Sequence, residues 1–340
     1  MGKPTGFLDY TRVNCPSRDA AACTGDYAPV ELPLSERNRR RQSGRCMDCG
    51  VPFCQAGVSF EGILLGCPLH NLIPEWNDLL WNGNYEGALQ RLLKTSPFPE
   101  FTGRVCPALC ERACVCGQVS EPVTIRENEL SIIEYGFENG LMQPAPPAVR
   151  SDKKIAVIGS GPAGLSAAYY LNRRGHHVTV FEKDPLPGGL LTYGIPEMKL
   201  PKQIVARRIS LMEREGISFR TSRCIGQQLD PEELAAQFDL VIFCCGAQQP
   251  RPLPFAETAG VFYALDYLRA SAQSLLEKTG LEADQCAYIG DDILDLPILT
   301  RVGAAFTVPN GHVEVLSRVD HITHRQAGDG AVREVCDMIL

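Results

Sequence analysis

The chain has 340 residues, with 33 Lys and Arg against 40 Asp and Glu, a formal charge of −7, and 15 cysteines. That length accommodates two ordinary domains, and the mildly acidic balance gives no bulk attraction to nucleic acid or to an anionic membrane. The opening MGKPTGFLDYTRVN has no apolar run and the chain contains no stretch of about 18 uncharged apolar residues, so neither a signal peptide nor a membrane span is expected.

Residues 1–45 read as an irregular polar segment ending in SERNRRRQSGR, a basic run expected to form a solvated helix face. Residues 46–143 hold eight of the 15 cysteines between helix-like runs such as LIPEWNDLLWNGNYEGALQRLLKT. QPAPPAV opens a proline-rich linker over 144–152. From 153 to 272 the pattern alternates strand and helix: KKIAVIG, PAGLSAAYYLNRRG, HHVTVFE, then GISFRTS, DPEELAAQF and DLVIFCCGA. Residues 273–340 continue with SLLEKTGL, QCAYIGDD, ILDLPILTRVG and AAFTV, read as helix, strand, helix, strand. The fold class expected is α + α/β.

So many thiols in a chain without secretory features imply a reducing, cytoplasmic compartment and a use as ligands. The spacings are Cys46-x2-Cys49-x4-Cys54, then Cys67 before Pro68, then Cys106-x3-Cys110-x3-Cys114 and Cys116. Cys-x2-Cys lets two thiolates converge on one centre, and Cys-x3-Cys does so on a helical turn, where residues four apart share a face. Structural zinc would have to be almost all-thiolate, since only His70 lies nearby. A dithiol at Cys46 and Cys49 would leave six thiols unused. Two four-ligand iron–sulfur clusters suit the count better, but spacing alone does not separate the metals.

The stretches CMDCGVPFCQ, GCPLHNLIPEWNDLLWNGNYEGAL, FPEFTGRVCPALCERAC and EPVTIRENE resemble the helical iron–sulfur domain of the NADPH-dependent glutamate synthase small (beta) subunit family, with related modules in dihydropyrimidine dehydrogenase. The resemblance implies two [4Fe-4S] clusters. It assigns Cys67, Cys106, Cys110 and Cys114 to one and Cys46, Cys49 and Cys54 to the other, with Glu129 near the latter's non-cysteine fourth position. Cys116 is extra to the motif.

KKIAVIGSGPAGLSAAYYLNRRGHHVTVFEK has the strand–turn–helix–strand context of a dinucleotide site. In its turn of Gly159, Ser160, Gly161, Pro162, Ala163 and Gly164, the first glycine permits the tight turn, the second lets backbone approach a pyrophosphate, and the third packs helix on strand. The helix start offers unpaired N–H groups to the diphosphate, and Glu182 ends the second strand, where a ribose could be bound. The adjoining PLPGGLLTYGIPEMKLPK resembles the flavin-side loop of the same family, which implies FAD and adds Gly188, Gly189, Leu190, Gly194 and Ile195. This resemblance runs from about residue 37 to 270; the family's second glycine-rich motif, for NADPH, is not found.

The stretch TGLEADQCAYIGDDILDLPILTRVG, with the remaining residues to Leu340, resembles the C-terminal part of haloacid-dehalogenase (HAD)-type phosphatases acting on 3-deoxy-octulosonate 8-phosphate. There GDDxxD closes a strand and holds Mg²⁺, which implies Asp291 and Asp292 as metal-facing acids and Asp295 as support; a capped turn is the alternative. No DxDG nucleophile motif occurs in the chain. The expected organisation is a helical iron–sulfur domain, an incomplete Rossmann-like FAD domain and a half HAD-like α/β tail. Parallel strands of that tail could complete the open sheet.

The resemblance implies an iron–sulfur flavoprotein electron-transfer module whose family partner is the glutamate synthase large subunit, inactive alone without an NADPH domain. A HAD-like phosphatase homologue lacking its nucleophile and a non-catalytic docking module are the other expectations.

Overall fold

The computed structural model describes residues 3, 5–23, 28–247, 263, 266, 268, 284, 286–326 and 331–339. The boundary expected between residues 272 and 273 and the helix-like SLLEKTGL lie outside the described residues.

The N-terminal segment is not irregular throughout. Two single turns, α1 (Gly6–Asp9) and α2 (Ala20–Cys23), precede α3 (Glu36–Ser43), whose N-cap Ser35 accepts from the Asn38 amide. The basic run is therefore helical, and its end is docked, because Gln42, Ser43 and Arg45 are all buried.

The cysteine region is largely helical: α4 (Ile73–Trp81), α5 (Tyr85–Leu92), α6 (Pro99–Val105), α7 (Leu109–Arg112) and α8 (Ile125–Glu138). Gly83 at φ +77° turns the chain between α4 and α5, a left-handed conformation that costs glycine little. Trp76, Leu80, Leu89, Leu92, Ile132 and Ile133 form its core, joined by the sulfurs of Cys54, Cys110 and Cys116. Burying each large side chain is worth about 1.5–3 kcal/mol. At Gly103 a Cβ would press on Leu130 at 2.8 Å, so α6 and α8 approach as closely as backbone allows. A two-stranded antiparallel hairpin, β1 (Val58–Phe60) and β2 (Ile63–Leu65), separates Cys54 from Cys67.

The α/β body is a parallel four-stranded sheet of β3 (Lys154–Ile158), β4 (His177–Phe181), β5 (Ser218–Arg220) and β6 (Leu240–Phe243), ordered β5-β4-β3-β6. Counting from β3 this is the doubly wound order 3-2-1-4, which reverses at the carboxyl end of β3 and opens a crevice there. Helices α9 (Pro162–Arg173), α10 (Leu190–Tyr193), α11 (Lys202–Arg214) and α12 (Pro231–Gln237) accompany it.

The two regions share a core. Phe98 and Phe101 pack in one cluster with Ile155, Val157, Leu165 and Ile209. Across this contact Arg208, 2% exposed, forks onto fully buried Glu100, with Nη2 to Oε2 at 2.9 Å. Glu134 on α8 accepts from Arg104 at 2.9 Å and from Arg207 at 2.8 Å, and the Arg207 guanidinium lies 3.6 Å from the Phe137 ring centroid. The proline-rich segment is thus a docked strap and not a free spacer: Arg150 donates to Asn172 Oδ1 at 2.6 Å and to the Glu215 carbonyl at 2.8 Å.

In the tail, β7 (Ala287–Ile289), β8 (Ala304–Thr307) and β9 (His321–Ile322) form their own parallel sheet, with α13 (Leu296–Leu299), α14 (Val313–Leu316) and α15 (Ala331–Ile339). The expectation that tail strands complete the open sheet is overturned. Strand β8 is already paired on both edges, and among the described strands the four-stranded sheet ends at β6. The tail core of Leu296, Leu299, Ala305 and Val315 packs against Ala20 of α2. No described helix is long and apolar enough to cross a membrane.

Candidate functional site

The eight thiols fall into two groups. Cys46, Cys49, Cys54, Cys114 and Cys116 line one cavity whose remaining walls include Ile73, Val123 and Ile125. Cys54 sits on a 3-10 turn (Phe53–Gln55), and its carbonyl accepts the Cys67 amide at 2.7 Å, which fixes the two ends of the hairpin insertion. Burial pushes the Cys46 and Cys54 thiols up to about 12, with Cys114 and Cys49 adding like-charge repulsion.

The second group joins Cys67, Cys106, Cys110 and Glu129. Cys106 caps the end of α6 in extended conformation, Ala108 turns the chain at φ +56°, and α7 then carries Cys110. Cys110 is raised first by burial, then by Glu111, Glu129, Cys67 and Cys106; Cys67 feels Glu129 and Cys106 as well as its own burial. Glu129 is pushed up to about 7 by burial, offset by the Thr102 hydroxyl that donates to it and reinforced by Glu100.

The fourth members are therefore exchanged relative to the expected sets. Cys114 lies with Cys46, Cys49 and Cys54, and Glu129 lies with Cys67, Cys106 and Cys110. The reason is tertiary. The chain leaves α7 at Arg112 and returns Cys114 to the Cys46–Cys54 loop, while the close α6–α8 contact at Gly103 sets Glu129 beside Thr102 and the α6 terminus.

Iron–sulfur clusters fit this donor set. Buried thiols with raised proton affinity need a compensating positive centre to be held as thiolates, and the apolar walls exclude water. The first five sulfurs line the wall of one cavity.

The dinucleotide turn lies at the sheet's switch point. Gly159 has φ +103°, and a Cβ there would overlap the Cys244 carbonyl oxygen; one on Gly164 would overlap the Gly159 carbonyl oxygen. A Cβ on Gly161 would meet nothing within 4 Å, leaving room for a ligand against the start of α9. Pro162 occupies the first helical turn, where its missing N–H costs nothing. The Gly188–Gly189 loop folds onto this turn: Gly188 N–H donates to Ser160 Oγ at 2.9 Å, and a Gly189 Cβ would stand 2.8 Å from Gly161 Cα. Leu190 is half exposed at its far end. Lys202 donates to the carbonyls of Leu191, at 3.0 Å, and of Ile195, fixing the turn through Gly194. Burial lowers the Lys202 pKa. Glu182 is buried, and its carboxylate accepts the Ser160 and Asp184 amides at 3.0 Å each. Its expected ribose-binding oxygens are thus engaged by the chain itself.

At the end of β7, Asp291 and Asp292 are exposed and Asp295 is half-buried. Asp295 Oδ2 accepts the Asp291 and Asp292 amides at 2.9 and 3.0 Å, and Tyr288 donates to its Oδ1 at 3.0 Å. Asp292 Oδ1 caps Ile293 at 2.7 Å and closes a capping box with Asp295. The capped turn accounts for Asp292 and Asp295. Sequence reasoning missed Thr102, Arg208, Lys202 and Arg45; only the Arg45–Cys46 adjacency offered a signal.

Three family profiles match: dihydropyrimidine dehydrogenase domain II, 4Fe-4S cluster, over residues 24–141; NAD(P)-binding Rossmann-like domain over 157–201; and haloacid dehalogenase-like hydrolase over 269–335. Glutamate synthase [NADPH] small chain of Bacillus subtilis is 49% identical over 296 residues, 86% of this chain and 60% of that protein. The Mycobacterium tuberculosis small chain is 46% identical over 317 residues, 92% of this chain and 60% of that one. Glutamate synthase [NADH] of Schizosaccharomyces pombe is 42% identical over 298 residues, 86% of this chain and 14% of that protein. The chain thus spans at most about three fifths of the length of these relatives. It is a homologue of glutamate synthase small chains carrying a 4Fe-4S domain, a nucleotide-binding Rossmann-like region and a HAD-like segment.

Proposed function

We propose that the chain is an iron–sulfur flavoprotein electron-transfer module of the glutamate synthase small-chain type, holding two [4Fe-4S] clusters and FAD and passing electrons to a large subunit in the cytoplasm. The observation that carries this reading is the shared core that joins two groups of thiols to one dinucleotide turn. The Phe98–Phe101 core and the Glu100–Arg208 pair hold the α6 end, and so Cys106, at a fixed place relative to the sheet.

The thiol region and the dinucleotide turn each have a role in that reading. Cys46, Cys49, Cys54 and Cys114 would hold one cluster and Cys67, Cys106, Cys110 and Glu129 the other, every thiol shedding its proton to bind. The open space at Gly161 and the amides of α9 would take the FAD diphosphate, with Ser160 and Lys202 fixing the flavin-side loop. Bound FAD would supply the conversion of two-electron into one-electron chemistry, and the clusters the one-electron relay. The buried, apolar surroundings of the thiols would keep water from the clusters.

The large subunit as partner, and NADPH as the electron source of the whole assembly, are carried over from relatives that extend well beyond this chain. NADPH oxidation by the isolated chain should be weak or absent, since the glycine turn described here is assigned to the flavin. The HAD-like tail is given no catalytic part: Asp292 and Asp295 are committed to a capped turn, and Mg²⁺ has no role in this reading. Anaerobic purification followed by iron, sulfide, zinc and flavin analysis tests the proposal. About eight iron atoms and up to one flavin per chain are expected; stoichiometric zinc without sulfide would overturn it.

A further inference from the structure

A four-ligand cluster site with five thiols has one sulfur too many. Cys116 stands in the same cavity as Cys46, Cys49, Cys54 and Cys114. It is 1% exposed and lies on the 3-10 turn Val115–Gln118, for which Cys114 is the N-cap. Two sulfurs therefore enter the cavity from one turn, two residues apart.

Its neighbour is as informative as its position. Arg45 is fully buried, and its guanidinium donates to the carbonyls of Tyr10 at 3.0 Å, Pro122 at 2.9 Å and Glu121 at 2.6 Å. Ser120 Oγ lies at 3.5 Å and Cys116 Sγ at 4.0 Å from Nη2. Every oxygen it touches is neutral, so the buried cation has no carboxylate counter-ion among these partners, a costly state unless negative charge arrives nearby. A thiolate-ligated cluster brings such charge. The guanidinium, held by those carbonyls, stands where it would offset the charge of a Cys116 thiolate.

We propose that Cys116 is a reserve ligand of the first cluster site, held against Arg45 and able to take the position of Cys114. The exchange is a substitution without redox change. An iron–sulfur bond forms to Cys116 Sγ as its thiol proton leaves to solvent, and the iron–sulfur bond to Cys114 breaks as the released Cys114 thiolate takes up a proton; where Cys114 lacks its sulfur, that bond never forms. This inference rests on the cluster reading above.

The test uses the full chain, reconstituted anaerobically, in four forms: unaltered, Cys116→Ala, Cys114→Ala and the double variant. Iron and sulfide are counted, and the dithionite-reduced magnetic spectrum is recorded. The unaltered and Cys116→Ala proteins should hold equal iron. Cys114→Ala should keep that iron with a shifted spectrum, and the double variant should lose iron at this site, falling toward half the total if the cluster is lost. Iron retained at the second site and an unchanged circular dichroism spectrum would show that the double variant still folds. If Cys114→Ala matches the double variant in iron and spectrum, whether as a three-iron signal or as complete loss, the reserve role is wrong while the cluster reading stands. An unaltered chain that takes up no iron overturns both.

Discussion

Two turns in this molecule leave the carboxyl end of a parallel strand, and they use their polar groups in opposite ways. After β3, the Gly159–Gly164 turn keeps space beside Gly161 and presents the start of a 12-residue helix. After β7, the Gly290–Asp295 turn spends two of its three carboxylates on itself, since Asp295 takes three donors and Asp292 caps the next helical turn. Both match a sequence motif of ligand-binding families. The difference teaches that a strand-end motif becomes a site only where the fold leaves its donors or acceptors unspent.

The same contrast extends to the regions around the turns. The first is braced across a region boundary by the fully buried Glu100 against Arg208; the tail sheet is paired only within itself among the described strands. Glu100→Gln should break the comparison most forcefully. It leaves the Arg208 guanidinium buried without its anion, which typically costs about 3–5 kcal/mol. The urea midpoint should fall accordingly, and hydrogen exchange should accelerate in α6 and α11 while peptides from β7–β9 keep their protection. Equal acceleration in the tail would show that the two regions unfold as one unit.

The glycine turn itself can be split into scaffold and site. Gly164→Ala drives a Cβ into the Gly159 carbonyl oxygen, and should cost about 3 kcal/mol as overpacking against unyielding backbone. Gly161→Val meets open space, and the backbone there is extended at φ −64°, ψ −179°, so the protein should fold normally yet lose most of its flavin. Should Gly161→Val retain full flavin, the ligand does not lie against this turn.

Legibility in the sequence divides along the same line. The tight turn at Gly159, with φ +103°, and the close approach of Gly164 to the Gly159 carbonyl were legible because both are backbone requirements within six residues. The pairing of thiols was not, because Cys114 and Glu129 exchange groups through the α6–α8 contact at Gly103 and the return of the chain after α7, and neither leaves a mark in spacing. The docking of the proline-rich strap was hidden for a similar reason: Arg150 meets Asn172 and the Glu215 carbonyl, partners distant in sequence. The separate tail sheet was missed because strand-like runs do not state which neighbour they pair with.

Acid should distinguish the brace by a smaller amount. Arg207 and Arg104 lower the Glu134 pKa below its ordinary carboxylate value, overcoming the effect of burial. A carboxylate depressed in the folded state is stabilising above its unfolded pKa, and that contribution is lost as pH falls through the folded value. Stability should therefore decline on acidification below about pH 4.5, and Glu134→Gln should flatten that part of the curve while lowering stability at neutral pH. An unaltered acid limb in Glu134→Gln would assign the loss to other carboxylates.

The smallest effect tests the spent turn. If Asp292 acts as a helix cap, asparagine can replace it, because either side chain accepts the amide that the cap must satisfy; alanine cannot, and should cost about 1 kcal/mol. If instead the carboxylate serves Mg²⁺, asparagine should be nearly as damaging as alanine, and millimolar Mg²⁺ should raise the melting temperature of the unaltered protein by ligand linkage but not that of Asp292→Asn. The hydrogen bond from Ile293 to Asp292 Oδ1 at 2.7 Å and the reciprocal box with Asp295 lead to the first outcome: Asp292→Asn close to the unaltered protein, Asp292→Ala destabilised, and neither responding to Mg²⁺. The second outcome would place a working cation site after β7 and return the tail to the comparison as an equal of the glycine turn.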